Sequence, residues 1–291
     1  MFYLKRAFLG SLFTLFFLGN ALALTPPFLD KQKIRLSIAP GQASYGDIVI
    51  ENPSETSRKM RVYLEDWSYA PGGDGSKNFA QQGSSVSSCA PWITFSPTEF
   101  TLPAFGKQRI SFSVKVPSDA KGTHYAIMFF ESNVGEVQEN AQGFSGGLNL
   151  AIRVGALFYI EAKGTIKRSA MIENLSVKRG NASNPLTVQV DLKNSGNTDI
   201  TAGGSFHIMD DEGLIFARGE FGNAYTFGGE TAKMSAAWKE KIPAGKYHLV
   251  ITVDIGKALE ELNLGRGPVI IKETEIEIGP DSTVLKAGEL N

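Results

Sequence analysis

Three histidines, one cysteine and one serine motif are the residues of this 291-residue chain whose types could do chemistry. His124, His207 and His248 have no cysteine or second histidine at metal-ligand spacing. His124 and His248 each precede or follow a tyrosine at the start of a strand-like run, which suits a place on a strand surface. Gly143-Phe144-Ser145-Gly146-Gly147 fits the G-x-S-x-G pattern of a hydrolase nucleophile. That motif needs a strand before it and a helix after it, whereas here a loop rich in Gly, Ser, Asn and Gln runs into a strand. Gly72-Gly73-Asp74-Gly75 lacks the lysine of a phosphate loop and the spaced carboxylates of a calcium loop, and it suits a hairpin loop after Trp67. Cys89 sits among Ser87, Ser88, Ala90 and Pro91, with no cation to activate it, and is expected to be structural. Asn174-Leu175-Ser176 and Asn181-Ala182-Ser183 fit the glycosylation pattern, which matters only in a eukaryotic secretory pathway. Neither enzymatic activity nor a cofactor nor a metal is expected.

The chemistry left is that of the backbone itself. In Gly146 to Ile160, GGLNLAIRVGALFYI, the residues Leu148, Leu150, Ile152 and Val154 recur at every second position. A strand places all four on one face and Asn149, Ala151, Arg153 and Gly155 on the other. A strand that follows a long loop at the end of a domain is well placed to be an edge. Soluble proteins blunt apolar edges unless the edge exists to pair with another chain. The plainer alternative is the last core strand of a sandwich.

The elements that must hold this strand read as all-β. Ile34, Leu36 and Ile38 alternate, as do Met60, Val62 and Leu64, and Ile110, Phe112, Val114 and Val116 form the clearest period-two run. Val188, Val190 and Leu192 repeat the pattern further on, Val250 to Ile255 reads as a buried strand, and Asp211-Glu212-Gly213 reads as a hairpin turn. Only Lys257 to Leu262 hints at a helical turn.

The chain also repeats a plan. Ile48-Val49-Ile50-Glu51-Asn52-Pro53 and Val190-Asp191-Leu192-Lys193-Asn194-Ser195 are each a strand closed by asparagine and a turn former. Pro117 to Gly122 leads to Tyr125, and Pro243-Ala244-Gly245-Lys246 leads to Tyr247. Both resemble the corner of immunoglobulin-like sandwiches in which the tyrosine hydroxyl ties back to upstream backbone. The fold expected is two immunoglobulin-like β-sandwiches in tandem after a cleaved signal peptide.

Lys5 and Arg6, the apolar run Ala7 to Leu18 and Ala21-Leu22-Ala23 read as a secretory signal cleaved after Ala23. The expected divisions are 1–23 signal peptide, 24–162 first sandwich, 163–279 second sandwich and 280–291 flexible tail. No later run is long enough to span a bilayer, so a periplasmic or secreted protein is expected. A net charge of −1, from 29 basic and 30 acidic residues, offers no footprint for nucleic acid. One cysteine leaves each domain to be held by its hydrophobic core.

The first half resembles the N-terminal domain of periplasmic pilus (fimbrial) assembly chaperones. The resemblance lies in Leu36-Ser37-Ile38-Ala39-Pro40, Ile48 to Pro53, Trp92-Ile93-Thr94-Phe95-Ser96-Pro97 with Phe100 and Leu102, Ile110 to Pro117, and Leu148 to Tyr159. It implies a protein that lends its last first-domain strand to an unfinished exported β-rich subunit, with Leu148, Leu150, Ile152 and Val154 filling the subunit's groove. The family holds the subunit's terminal carboxylate with an arginine on the first strand and a lysine on the lending strand. Here the first strand continues Ala39-Pro40-Gly41-Gln42 and Ala156 occupies the lysine's place. Arg153 is the nearest cation, either a partner contact or a solvated charge. The second half is similar to adhesion-type or cell-wall-associated sandwiches. An adhesin or scaffold binding through loops, above all Ser68 to Ser88, is the alternative function.

Overall fold

Alternating β-branched and aromatic residues pack well on a pleated surface buried on one side, and that pattern dominates the chain. The computed structural model describes residues 25–137, 148–179, 183–257 and 267–290. The proposed signal sequence, Ser145 and most of the expected helical turn after Lys257 lie outside the described residues.

The first half forms strands β1 (Phe28–Leu29), β2 (Lys33–Ile38), β3 (Ala43–Glu51), β4 (Arg58–Tyr69), β5 (Lys77–Gln81), β6 (Ile93–Ser96), β7 (Glu99–Leu102), β8 (Lys107–Lys115), β9 (Thr123–Val137) and β10 (Leu148–Ala162). One sheet runs β1-β3-β8-β6; the facing sheet runs β2-β10-β9-β4-β5, with β7 also paired to β4. Ile48, Ile50, Ile110 and Val114 from the first sheet meet Met128, Phe130, Phe158 and Ile160 from the second in one buried core. Cys89 is fully enclosed in that core, and burial pushes its thiol pKa well above the ordinary value, which leaves it inert.

The second half forms β11 (Ala170–Lys178), β12 (Leu186–Asn194), β13 (Ile200–Met209), β14 (Ile215–Thr226), β15 (Thr231–Trp238), β16 (Gly245–Asp254), β17 (Val269–Ile278) and β18 (Val284–Ala287). The sheet β11-β12-β15 faces the sheet β14-β13-β16-β17-β18. Val188, Val190 and Leu192 pack against Phe206, Ile208, Leu249 and Ile251. The protein is therefore all-β, two immunoglobulin-like sandwiches in tandem. The hairpin between β13 and β14 turns at Gly213 with φ +82°, and the Asp210 carboxylate accepts from the amides of Glu212 and Leu214.

The internal repeat extends to hydrogen bonds. Asn52 and Asn194 are both buried. Asn52 donates its side-chain amide to Thr56 O at 2.8 Å and accepts from Ser54 N at 3.2 Å. Asn194 donates to Thr198 O at 2.8 Å and accepts from Gly196 N at 3.0 Å. Each asparagine replaces the ladder partners its turn has lost.

Two expectations need correction. The segment after Gly279-Pro280, expected to be a flexible tail, contains β18, which pairs antiparallel with β17. Ser282 binds both the amide and the carbonyl of Ile242, and Val284 and Leu290 rest on the second core, so this segment is anchored by backbone and side chain. The two tyrosine corners also differ. Tyr247 donates to Pro243 O at 2.9 Å, as expected. Tyr125 instead faces the second half, where its ring stacks on Phe227 at 3.8 Å and 9°. It lies on the outer face of its strand, and Phe227 covers it there.

That contact belongs to a seam between the halves. Trp67, Tyr125, Tyr159 and Phe227 form one buried aromatic cluster. Backbone bonds join Thr123 N to Asn197 O and Tyr225 N to Gly73 O. Gly122 has φ +78°, and a Cβ there would stand 2.4 Å from Asn197 O, so the close approach requires glycine.

Candidate functional site

The strand β10 lies between two neighbours along only part of its length. Its end from Leu157 to Ala162 pairs with β2 in parallel, beginning opposite Lys33, and with β9 on the other side. From Leu148 to Ala156 it pairs with β9 alone among the described residues. The expected edge is thus an edge over its first part and an internal strand over its second. A register shift lies between Asn149 and Ala151, where the extra residue of β9 locally disturbs the ladder.

One face of β10 leaves the core progressively. Ile160, Phe158 and Ala156 are fully buried. Val154 is half-buried and packs against the margin of the first core, opposite the buried Phe130. Ile152, opposite Ser132, is half-buried and lies outside that core. Leu150 is 37% exposed. The side chain of Leu148 lies outside the described residues. The apolar row that fills the sandwich thus continues past it into solvent, beside backbone with no strand on its open side among the described residues.

The opposite face carries Arg153. Its guanidinium carbon stands 4.2 Å from the Phe129 ring centroid and 5.4 Å from that of Phe79, and its Nη1 is 3.6 Å from Glu65. The Arg153 side chain is 43% exposed. Nearby, Tyr63 donates to Glu131 at 2.7 Å. Burial and the Glu131 carboxylate raise the tyrosine's pKa above its ordinary value, against the lowering effect of a hydrogen bond with Arg153. Gly155 stands between these residues and the seam, and a Cβ there would press on the end of the Ile127 side chain.

At the inner end of the same face, sequence patterning missed a charged lock. Arg35, on β2, donates to Glu161 at 2.6 Å and to Asp199 of the second half at 2.5 Å, and its guanidinium lies 4.5 Å from the Tyr159 ring. Burial alone would lower its pKa, but the two carboxylates raise it further above an already high value. The only sequence signal was an arginine in an otherwise apolar alternation; its partners are distant in the chain.

The loop Ser68 to Ser88 is partly strand and partly committed to internal contacts. It contains β5, gives Gly73 O to the second half, and Ser84, Ser85 and Ser88 all donate to the Asp66 carboxylate. The three histidines remain apart, and no described cluster of His, Cys, Asp and Glu is arranged to hold a metal. Among the described residues no helix is long and apolar enough to cross a membrane.

No family model and no curated protein matches the chain. Among solved structures, the class 5 fimbriae chaperone CfaA aligns with a TM-score of 0.45 at 12% identity, over 84% of this chain and 98% of its own. A chain of the CsuC–CsuE chaperone–tip subunit pre-assembly complex of Acinetobacter baumannii aligns at 0.41 and 13%, over 85% and 98%. A chain of the Salmonella enterica SafA pilin–SafB chaperone complex aligns at 0.41 and 12%, over 86% and 97%.

Proposed function

We propose that this protein is a periplasmic, non-enzymatic chaperone or scaffold that supports folding or assembly of an exported β-rich subunit by β-strand addition along β10. The observation that carries this function is the strand's open side from Leu148 to Ala156, combined with an apolar row that leaves the core through Val154, Ile152 and Leu150. Backbone pairing would supply affinity, and these side chains would enter the partner's groove and supply fit. Fully burying each is worth about 1.5–3 kcal/mol before ordering costs are subtracted. The paired remainder of β10 holds the lending segment straight, so little of that gain is lost to ordering a flexible peptide.

The test is capture of the partner from the native envelope by the mature protein and by its Ile152→Glu variant, read by mass spectrometry. A β-rich exported protein captured by wild type and lost with a folded Ile152→Glu variant is the expected result. Equal capture by both would contradict strand addition and favour binding through loops.

A further inference from the structure

The outer face of the same sheet carries a row of charges that stops at the open edge. Arg153 on β10 stands directly opposite Glu131 on β9. Glu131 stands opposite Arg61 on β4, and Arg61 opposite Glu99 on β7. Read across four strands the row is cation, anion, cation, anion, and directly opposed residues of an antiparallel pair share one face. Glu99, Arg61 and Arg153 are exposed, and Glu131 is half-buried. The row ends in solvent at Glu99 on one side and, at Arg153, on the side where no strand follows among the described residues.

Arg153 is also isolated along its own strand. Its outer-face neighbours are Ala151 and Gly155, which offer a methyl group and no side chain. Between those positions its guanidinium is the one group that an added strand would meet on this face. A guanidinium has five donors, and among the described residues Arg153 makes one ion pair, with Glu65 at 3.6 Å, and a hydrogen bond with the Tyr63 side chain. The Phe129 ring supports one face of the guanidinium and leaves donor positions for a second carboxylate.

We infer that the strand received along β10 places an aspartate or glutamate directly opposite Arg153, continuing the alternation by one strand. This deepens the strand-addition function and rests on it. Arg153 acts as a register and specificity determinant: the apolar row sets which face of the partner points inward, and the charge sets which partner residue lies at this position. A slip by two residues keeps the inward face but moves the acid off the arginine.

The test uses the full mature chain and three fluorescein-labelled extended peptides. Each carries valine and isoleucine on one face, with a central Glu, Gln or Lys on the other. Fluorescence anisotropy should show the Glu peptide binding ~5-fold more tightly than the Lys peptide, since opposed like charges destabilise where unlike charges stabilise. Arg153→Glu should invert that order, and Arg153→Gln should abolish it. Added salt should shrink the wild-type preference. The same order of peptides for wild type and Arg153→Glu overturns the inference while leaving strand addition standing. Failure of all three peptides to bind, or binding unaffected by Ile152→Glu, overturns strand addition and the inference with it.

Discussion

The edge strands β11, β14 and β18 of the second sandwich and the start of β10 in the first are treated in opposite ways. In the second, β18 is a short strand carrying Lys286, β11 is interrupted between Glu173 and Ser176 where Asn174 has φ +54°, and β14 carries Arg218 and Glu220 with two register irregularities against β13. Short length, bulges and charge are how soluble proteins discourage stray pairing. In the first sandwich, β10 from Leu148 to Ala156 presents one charge, Arg153, and an apolar row that becomes more exposed toward its start. The same chain protects those three edges and, among the described residues, leaves this one without a second partner strand. That contrast is what the proposed strand addition rests on.

The contrast can be broken within β10 itself. Phe158→Ala, at a fully buried position, should destabilise the protein by about 3–5 kcal/mol, seen as a lower midpoint in denaturant. Asp199→Ala should cost about 2 kcal/mol by removing one of the two carboxylates that pair the enclosed Arg35 guanidinium, leaving Glu161 alone, read in the same titration. Ile152→Glu, on the same face as Phe158 but outside the core, should cost less than about 1 kcal/mol and act on partner binding instead. A denaturant midpoint that falls as far for Ile152→Glu as for Phe158→Ala would make the whole strand ordinary core.

A smaller effect separates the corners. Tyr247→Phe should cost about 1 kcal/mol through loss of the bond to Pro243 O. The histidines beside the two tyrosines titrate in opposite senses. Hydrogen bonding to Asp211, with the nearby Glu273, raises the His248 pKa. Its contribution is therefore complete below the ordinary histidine value and is lost as pH rises through the raised one. Burial lowers the His124 pKa. That contribution is present above the ordinary value and is lost as pH falls through the lowered one. Thermal melts between about pH 5 and 8 should show His248→Gln losing most, relative to wild type, at the acid end. His124→Gln should gain there. Parallel pH profiles for the two variants would remove this difference between the corners.

Period-two runs made much of the fold legible, because a half-buried strand writes its buried face directly into the sequence. Ile110, Phe112 and Val114 and the row Val188, Val190 and Leu192 are inward as their alternation predicts. The asparagine-closed turns were visible because the side chain must replace lost backbone partners. The row Leu150, Ile152 and Val154 was legible as one face, but how far along β10 the core stops depends on where β2 begins to pair. Periodicity carries no such information. The stacking of Tyr125 on Phe227 and the Arg35 lock join residues distant in sequence, and β18 was hidden because it is only the four residues Val284–Ala287 after a polar turn, with its pairing supplied by the neighbouring strand. Arg153 stood out as a cation, whereas its place in a four-strand row required the register of β10, β9, β4 and β7.

Hydrogen–deuterium exchange on the protein alone and in complex with the partner captured by wild type tests strand addition most directly. Strand addition predicts new protection concentrated in residues 148–156, with residues 68–88 unchanged. Protection of residues 68–88 with residues 148–156 unchanged would contradict it and assign binding to the loop.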